Sequence, residues 1–118
     1  MTRWIAMAGV IAFALVFEGP ASAQDAAQAE KGKTIYDAAM PKCKVCHSIG
    51  GVGNAKGALD GVGSKLKADE IKAWLRTPKE MTEKAKATRK PVMPTYGVDK
   101  ISDADLEALT AYLLSLKK

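Results

Sequence analysis

A small all-α domain of three to five helices is what this sequence predicts, and three observations carry the prediction. Residues 25–40, 67–76 and 102–117 each set apolar side chains at i, i+3 and i+4 intervals, the period of a helix with one buried face. No stretch alternates apolar and polar residues as a half-buried strand would, and no segment repeats. Between the first two periodic segments, glycines at 50, 51, 53, 57, 61 and 63 make a loop too rich in glycine to continue either helix.

The N-terminus stands apart from that domain. Arg3 precedes an apolar run from Trp4 to Phe17, Glu18-Gly19-Pro20 interrupts it, and Ala21-Ser22-Ala23 is a small-x-small cleavage site. These are the parts of a secretory signal peptide, residues 1–23, with residues 24–118 as a single exported, periplasmic domain. A retained membrane anchor would need about 20 apolar residues, and no cysteine near the cleavage site offers a lipid anchor. No stable membrane insertion is expected after cleavage.

The first helix is expected from Asp25, a capping side chain, to about Met40, with Ala29, Gly32, Ile35, Tyr36, Ala39 and Met40 on its apolar side. Glycine inside a helix costs about 1 kcal/mol relative to alanine, so Gly32 points to close approach of another helix. Pro41 should end or kink this helix just before Cys43. The second helix spans Lys67 to Arg76, with Ile71, Trp74 and Leu75 on one face, Glu70 as a capping-box partner and Pro78 closing it. The lysine-rich stretch 79–90 reads as a solvated helix or loop that can contribute to a partner-facing patch. In Pro91-Val92-Met93-Pro94 two prolines bracket a methionine and hold it in a stiff, extended loop. The last helix has Ser102 as N-cap and Asp105 at N3, and runs to about Lys117. Its apolar face is Leu106, Leu109, Leu113 and Leu116, with Tyr112 alongside.

Cys43-Lys44-Val45-Cys46-His47 carries the chemistry. Two cysteines three apart on a helical turn share a face, so both thiols can bond the vinyl groups of one haem. The histidine that follows is then held against the iron. C-x-x-C-H is the signature of covalent c-type haem attachment. A disulfide, a thioredoxin-like pair and half a zinc site would use the same cysteines. The redox pair belongs in a βαβ setting not seen here, and zinc needs more ligands than two cysteines and one histidine supply. An exported chain with just these two cysteines would otherwise oxidise them. Haem also answers the small core of residues 24–118, whose aromatics are Trp74, Tyr36, Tyr96 and Tyr112; without it the chain is expected to be largely unfolded. A carbonyl near Gly57 or Ala58 is expected to accept the Nδ1 proton of His47. The glycine-rich loop is no phosphate loop, because neither G-x-G-x-x-G nor G-x-x-x-x-G-K-[ST] is matched.

His47 is the only histidine, which excludes a second histidine ligand and leaves Met, Lys, a small ligand or an open position. Met40 is too near Cys43 to reach the opposite haem face. Met81 sits where nothing stiffens the backbone, whereas Met93 is braced by its prolines. Met93 is therefore assigned as the sixth ligand, with Met81 in reserve; the competing role for Met93 is core filler. A His/Met pair raises the reduction potential and fills the coordination sphere, which favours electron transfer over peroxide or oxygen chemistry.

With these residues in place, the chain resembles the class I (monohaem) cytochrome c family over residues 26–117. Gly32 and Tyr36 match the glycine–aromatic pair of its N-terminal helix, and Cys43, Cys46 and His47 its haem motif. Leu59 and Gly61 match the following loop, and Trp74, Leu75 and Pro78 the aromatic-x-x-x-Pro helix end. Met93 with Pro94 matches the Met-ligand loop, and Leu109 with Tyr112 the C-terminal helix. The resemblance implies a small cytochrome c fold wrapped around one covalently attached haem c. It also implies terminal helices that cross at Gly32, with Tyr36 and Tyr112 near the contact. Leu59, Trp74 and Tyr96 are expected to pack against the haem. Three departures bear on geometry: the interval from Tyr36 to Cys43 is longer than usual, so 39–42 should bulge; the proline usual in the loop after the haem motif is absent, with Gly57 near its place, where it bears on the His47 hydrogen bond; and Lys67 replaces the usual helix cap.

The expected function is that of a periplasmic one-electron carrier between redox proteins, with no catalytic residues, present as a monomer or a small subunit. The net charge of +5 suits acidic docking surfaces, although solubility alone also explains it. Nucleic acid is not an expected partner of an exported chain whose few aromatics read as core. One alternative is a dedicated cytochrome subunit of a periplasmic dehydrogenase. Another is a haem enzyme or ligand sensor with an open iron site, for which no spare histidine exists to act as acid or base.

Overall fold

The computed structural model describes residues 21–118; residues 1–20, which hold most of the expected signal peptide, lie outside them. The described chain forms α1 (Ala21–Ala38), β1 (Ser48–Ile49), β2 (Val52–Gly53), α2 (Val62–Lys65), α3 (Ala68–Arg76), α4 (Pro78–Ala85) and α5 (Asp103–Ser115). It is mostly helical, with five helices and one minimal hairpin among the described residues, in keeping with the predicted all-α class.

α1 is already helical at Ala21, so Asp25 sits inside it and caps nothing; the alanines around it are strong helix formers. The helix stops at Ala38, ahead of Pro41, whose ring would clash with a preceding carbonyl. Residues 39–42 leave the helix as expected. Ala39 turns inward, but Met40, expected on the apolar side, is 63% exposed because the helix has already ended at Ala38 and its period no longer sets the side chain. The Tyr96 hydroxyl donates to the Pro41 carbonyl at 2.5 Å.

The glycine-rich stretch is more ordered than a bare loop. β1 and β2 pair antiparallel, joined by Gly50 (φ 58°) and Gly51 (φ 80°). Positive φ at both turn residues is the type I′ arrangement whose twist matches a hairpin, and only glycine adopts it freely. Strands of two residues are too short for alternation to reveal, which is why the sequence reads here as loop.

α3 begins beside Lys67, whose backbone N–H donates to Glu70 Oε1 at 3.2 Å. That is half a capping box, since a lysine side chain has no acceptor for the other half. Pro78 does more than close α3: it opens α4 from the first helical position, where its missing N–H is no loss. The expected Ser102 cap of α5 is present, with Oγ accepting from the Asp105 N–H at 3.2 Å.

α1 and α5 form the largest contact between elements. They cross at Gly32, where an added Cβ would strike the Ala108 carbonyl and lie 2.6 Å from Tyr112 Cβ. Tyr36 and Tyr112 meet edge-on beside the crossing, with ring centroids 6.1 Å apart. The core continues through Leu109, Ile101 and Ile71, each 2% exposed or less. Leu106 and Leu113 are buried as predicted, and Ala108 and Thr110 show that α5 is covered on more than its leucine face.

Candidate functional site

The break at Pro41 lets the chain tighten into a 3₁₀ turn, Cys43–Val45, in which the N–H groups of Cys46 and His47 both donate to the Cys43 carbonyl, at 3.1 and 2.8 Å. Cys43 is buried and Cys46 half-buried, and both are free thiols. Burial, above all other causes, raises the Cys43 thiol, so it stays protonated at neutral pH. Among the described residues no three His, Cys, Asp or Glu side chains gather as a metal site.

His47 Nδ1 lies 3.0 Å from the Gly57 carbonyl, the first of the two predicted acceptors. The Nδ1–H donates to it, which leaves the Nε2 lone pair for a metal. Burial is the main reason that His47 titrates below the ordinary imidazole range; the Gly57 carbonyl opposes it and the Arg89 guanidinium adds to it. The ring is therefore held neutral. Gly57 itself must be glycine in this packing, because a Cβ would collide with the Cys46 carbonyl and with the Arg89 guanidinium.

These groups face a cavity of about 280 Å³ whose walls are overwhelmingly apolar. Cys43, Cys46, His47 and Met93 all line it, as do Leu59 and Trp74. Tyr96 borders an adjoining cavity of about 310 Å³, which shares Cys43, Cys46, His47 and Met93 with the first. Met81, half-buried on α4, is not among the lining residues of either. Thus the structure gathers six of the sequence-predicted residues around one space and leaves the reserve methionine outside it.

The residues present fit a covalently held haem. Two thiols share one turn, a neutral imidazole offers Nε2, and a thioether lines the same apolar space. The Tyr36 ring also lines the cavity, and its hydroxyl is buried without a hydrogen-bond partner among the described residues. Burial first, and then the neighbouring Cys43, push this phenol up to about 12. A buried hydroxyl left unpaired by the protein is a reason to expect a polar-edged group beside it.

Sequence reasoning missed two arginines. Arg89 lines the cavity that Leu59 and Trp74 border, and donates from Nη2 to the Cys46 carbonyl at 2.5 Å. Arg76 donates from Nη1 to the Tyr96 and Ile101 carbonyls, both at 2.7 Å, and pairs with Asp103 at 3.0 Å. Arg89 was hidden in a run of lysines; its place just ahead of the braced methionine was the one available signal.

Comparison with known proteins agrees with this geometry. The family model described as Cytochrome c matches residues 29–117. Among curated proteins, cytochrome c oxidase subunit 2 of Alkalihalophilus pseudofirmus is 32% identical over 98 residues, covering 75% of this chain and 26% of that protein. The chain thus spans about a quarter of that relative's length. No solved structure matches the chain.

Proposed function

Because the chain belongs to the cytochrome c family and is a haem-binding electron carrier, we propose that it is an exported, periplasmic one-electron shuttle with His47 and Met93 as axial ligands. Haem c, held through Cys43 and Cys46, supplies a one-electron iron couple. The observation that carries the ligand assignment is that His47 and Met93 line the same cavity while Met81 does not.

The protein's own residues do the rest. The Gly57 carbonyl fixes the tautomer and ring angle of His47, and burial keeps that ring neutral, with the Nε2 lone pair unprotonated. Met93 offers a neutral, soft sulfur from a segment that Pro91 and Pro94 stiffen. The apolar walls offer few groups that hold water, which lowers the solvent reorganisation that a change of charge demands. Export is supported by the pattern of residues 1–23, and the carrier's basic charge suits acidic docking surfaces on its partners.

The test is optical. Oxidised holoprotein should show the weak far-red methionine–iron band, Met81→Ala should keep it, and Met93→Ala should lose it. Persistence of the band in Met93→Ala overturns the ligand assignment.

The similarity to an oxidase subunit favours a terminal oxidase as electron acceptor over a dehydrogenase as permanent host. Size-exclusion chromatography of a periplasmic extract separates the two: a shuttle elutes as a free small protein, a dedicated subunit with its larger enzyme.

A further inference from the structure

The segment 88–95 carries Met93 but has no regular secondary structure. Among the described residues, the hydrogen bond that ties it to the rest of the chain is the one from Arg89 to the Cys46 carbonyl. The guanidinium also lies over Gly57, close enough that its Nη1 would collide with any Cβ there. Gly57 is the residue whose carbonyl orients His47. One side chain therefore reaches from the methionine loop to both the peptide that precedes His47 and the residue that holds the His47 ring.

We propose that Arg89 is a positioning residue that tethers the Met93 loop to the Cys46–His47 turn and so couples the two axial ligands. The inference rests on Met93 being the sixth ligand. A guanidinium suits this task because its planar fork presents two nitrogens in fixed geometry, one for the Cys46 carbonyl and one stacked over the small Gly57. A lysine would supply the charge and one bond without the fork. Opening the loop breaks the Arg89 bond, so the tether sets how often the methionine loop lifts. Its positive charge beside the His47 turn also favours the reduced state of the site, in which the total charge is one unit lower.

The experiment measures the rate at which exogenous imidazole binds the oxidised holoprotein, a rate gated by departure of the methionine, together with the midpoint potential. Arg89→Gln should bind imidazole roughly 3- to 10-fold faster, the range set by loss of one hydrogen bond, and should have a lower midpoint potential. Arg89→Lys should keep most of the potential while its imidazole rate falls between wild type and Arg89→Gln. A wild-type imidazole rate in Arg89→Gln overturns the tether. If Arg89→Gln does not mature, Arg89→Lys carries the test, and a wild-type rate there overturns it equally. Met93→Ala keeps the two readings apart: survival of the far-red band in that variant sinks the ligand assignment. Loss of the band there, with Arg89 variants indistinguishable from wild type, sinks the tether alone.

Discussion

Arg76 shows how much one side chain at the end of a helix can hold. Its two bonds to the Tyr96 and Ile101 carbonyls fasten the stretch between Met93 and α5 onto α3, with the side chain only 20% exposed. Asp103, 87% exposed, adds little, as exposed ion pairs do. Arg76→Ala should lower holoprotein stability by about 2–4 kcal/mol, the loss of two charge-assisted bonds to part-buried carbonyls, and Arg76→Lys by less. Guanidinium denaturation followed by circular dichroism measures both. The sequence did not disclose this role, because an arginine in a last helical turn reads first as a partner for the helix dipole. By contrast the acceptor for His47 was narrowed to Gly57 or Ala58 from sequence, because a histidine after C-x-x-C needs a nearby carbonyl and a glycine permits close approach. Choosing between the two required the fold, since the backbone direction of the 3₁₀ turn Ala55–Gly57 decides which carbonyl points at the ring.

Helices were legible where they present a periodic apolar face, and their ends where a proline or a serine marks them. The terminal-helix crossing was foreshadowed by a single glycine, and the reason is steric: the Ala108 carbonyl occupies the space where a Cβ at residue 32 would lie. This makes the sign of one substitution informative. On an exposed helix Gly→Ala gains about 1 kcal/mol from propensity. Gly32→Ala should instead destabilise by about 1–3 kcal/mol through overpacking against backbone that cannot yield, as thermal denaturation of the holoprotein would show. An unchanged or raised melting temperature would mean that the crossing has room to spare. What stayed hidden at this scale was short or ambiguous. β1 and β2 have two residues each, and although Gly50-Gly51 is a recognised hairpin dipeptide, it had no alternating flanks to support it. Pro78 signals a helix end and a helix start equally well, and only the structure shows that it serves both.

For the molecule as a whole, the cavity sits where a core of this size would otherwise have its centre. Tyr36, Leu75, Leu109 and Leu113 border it and also belong to the buried cluster that joins the helices. These side chains are nearly covered by protein, so the same residues that join the helices also wall the cavity. The double variant Cys43→Ala, Cys46→Ala, made without haem, should be largely unfolded by far-ultraviolet circular dichroism; native-like helicity would show that the helices pack without a cofactor. The fold class, the haem motif and the cavity-lining methionine were all legible in sequence because each is a local pattern. The tethers Arg76 and Arg89 were not, because each is defined by a carbonyl distant in sequence.

The pairing of the first helix with the last also sets a timetable. A chain grows from its N-terminus at roughly 5–20 residues per second, so Cys43, Cys46 and His47 are made several seconds before Leu109 and Leu113. Until α5 exists, α1 has nothing to cross at Gly32 and the cavity lacks one of its walls. Folding thus leaves the attachment turn open for as long as α5 has not docked on α1, and that docking is the step that walls the site in.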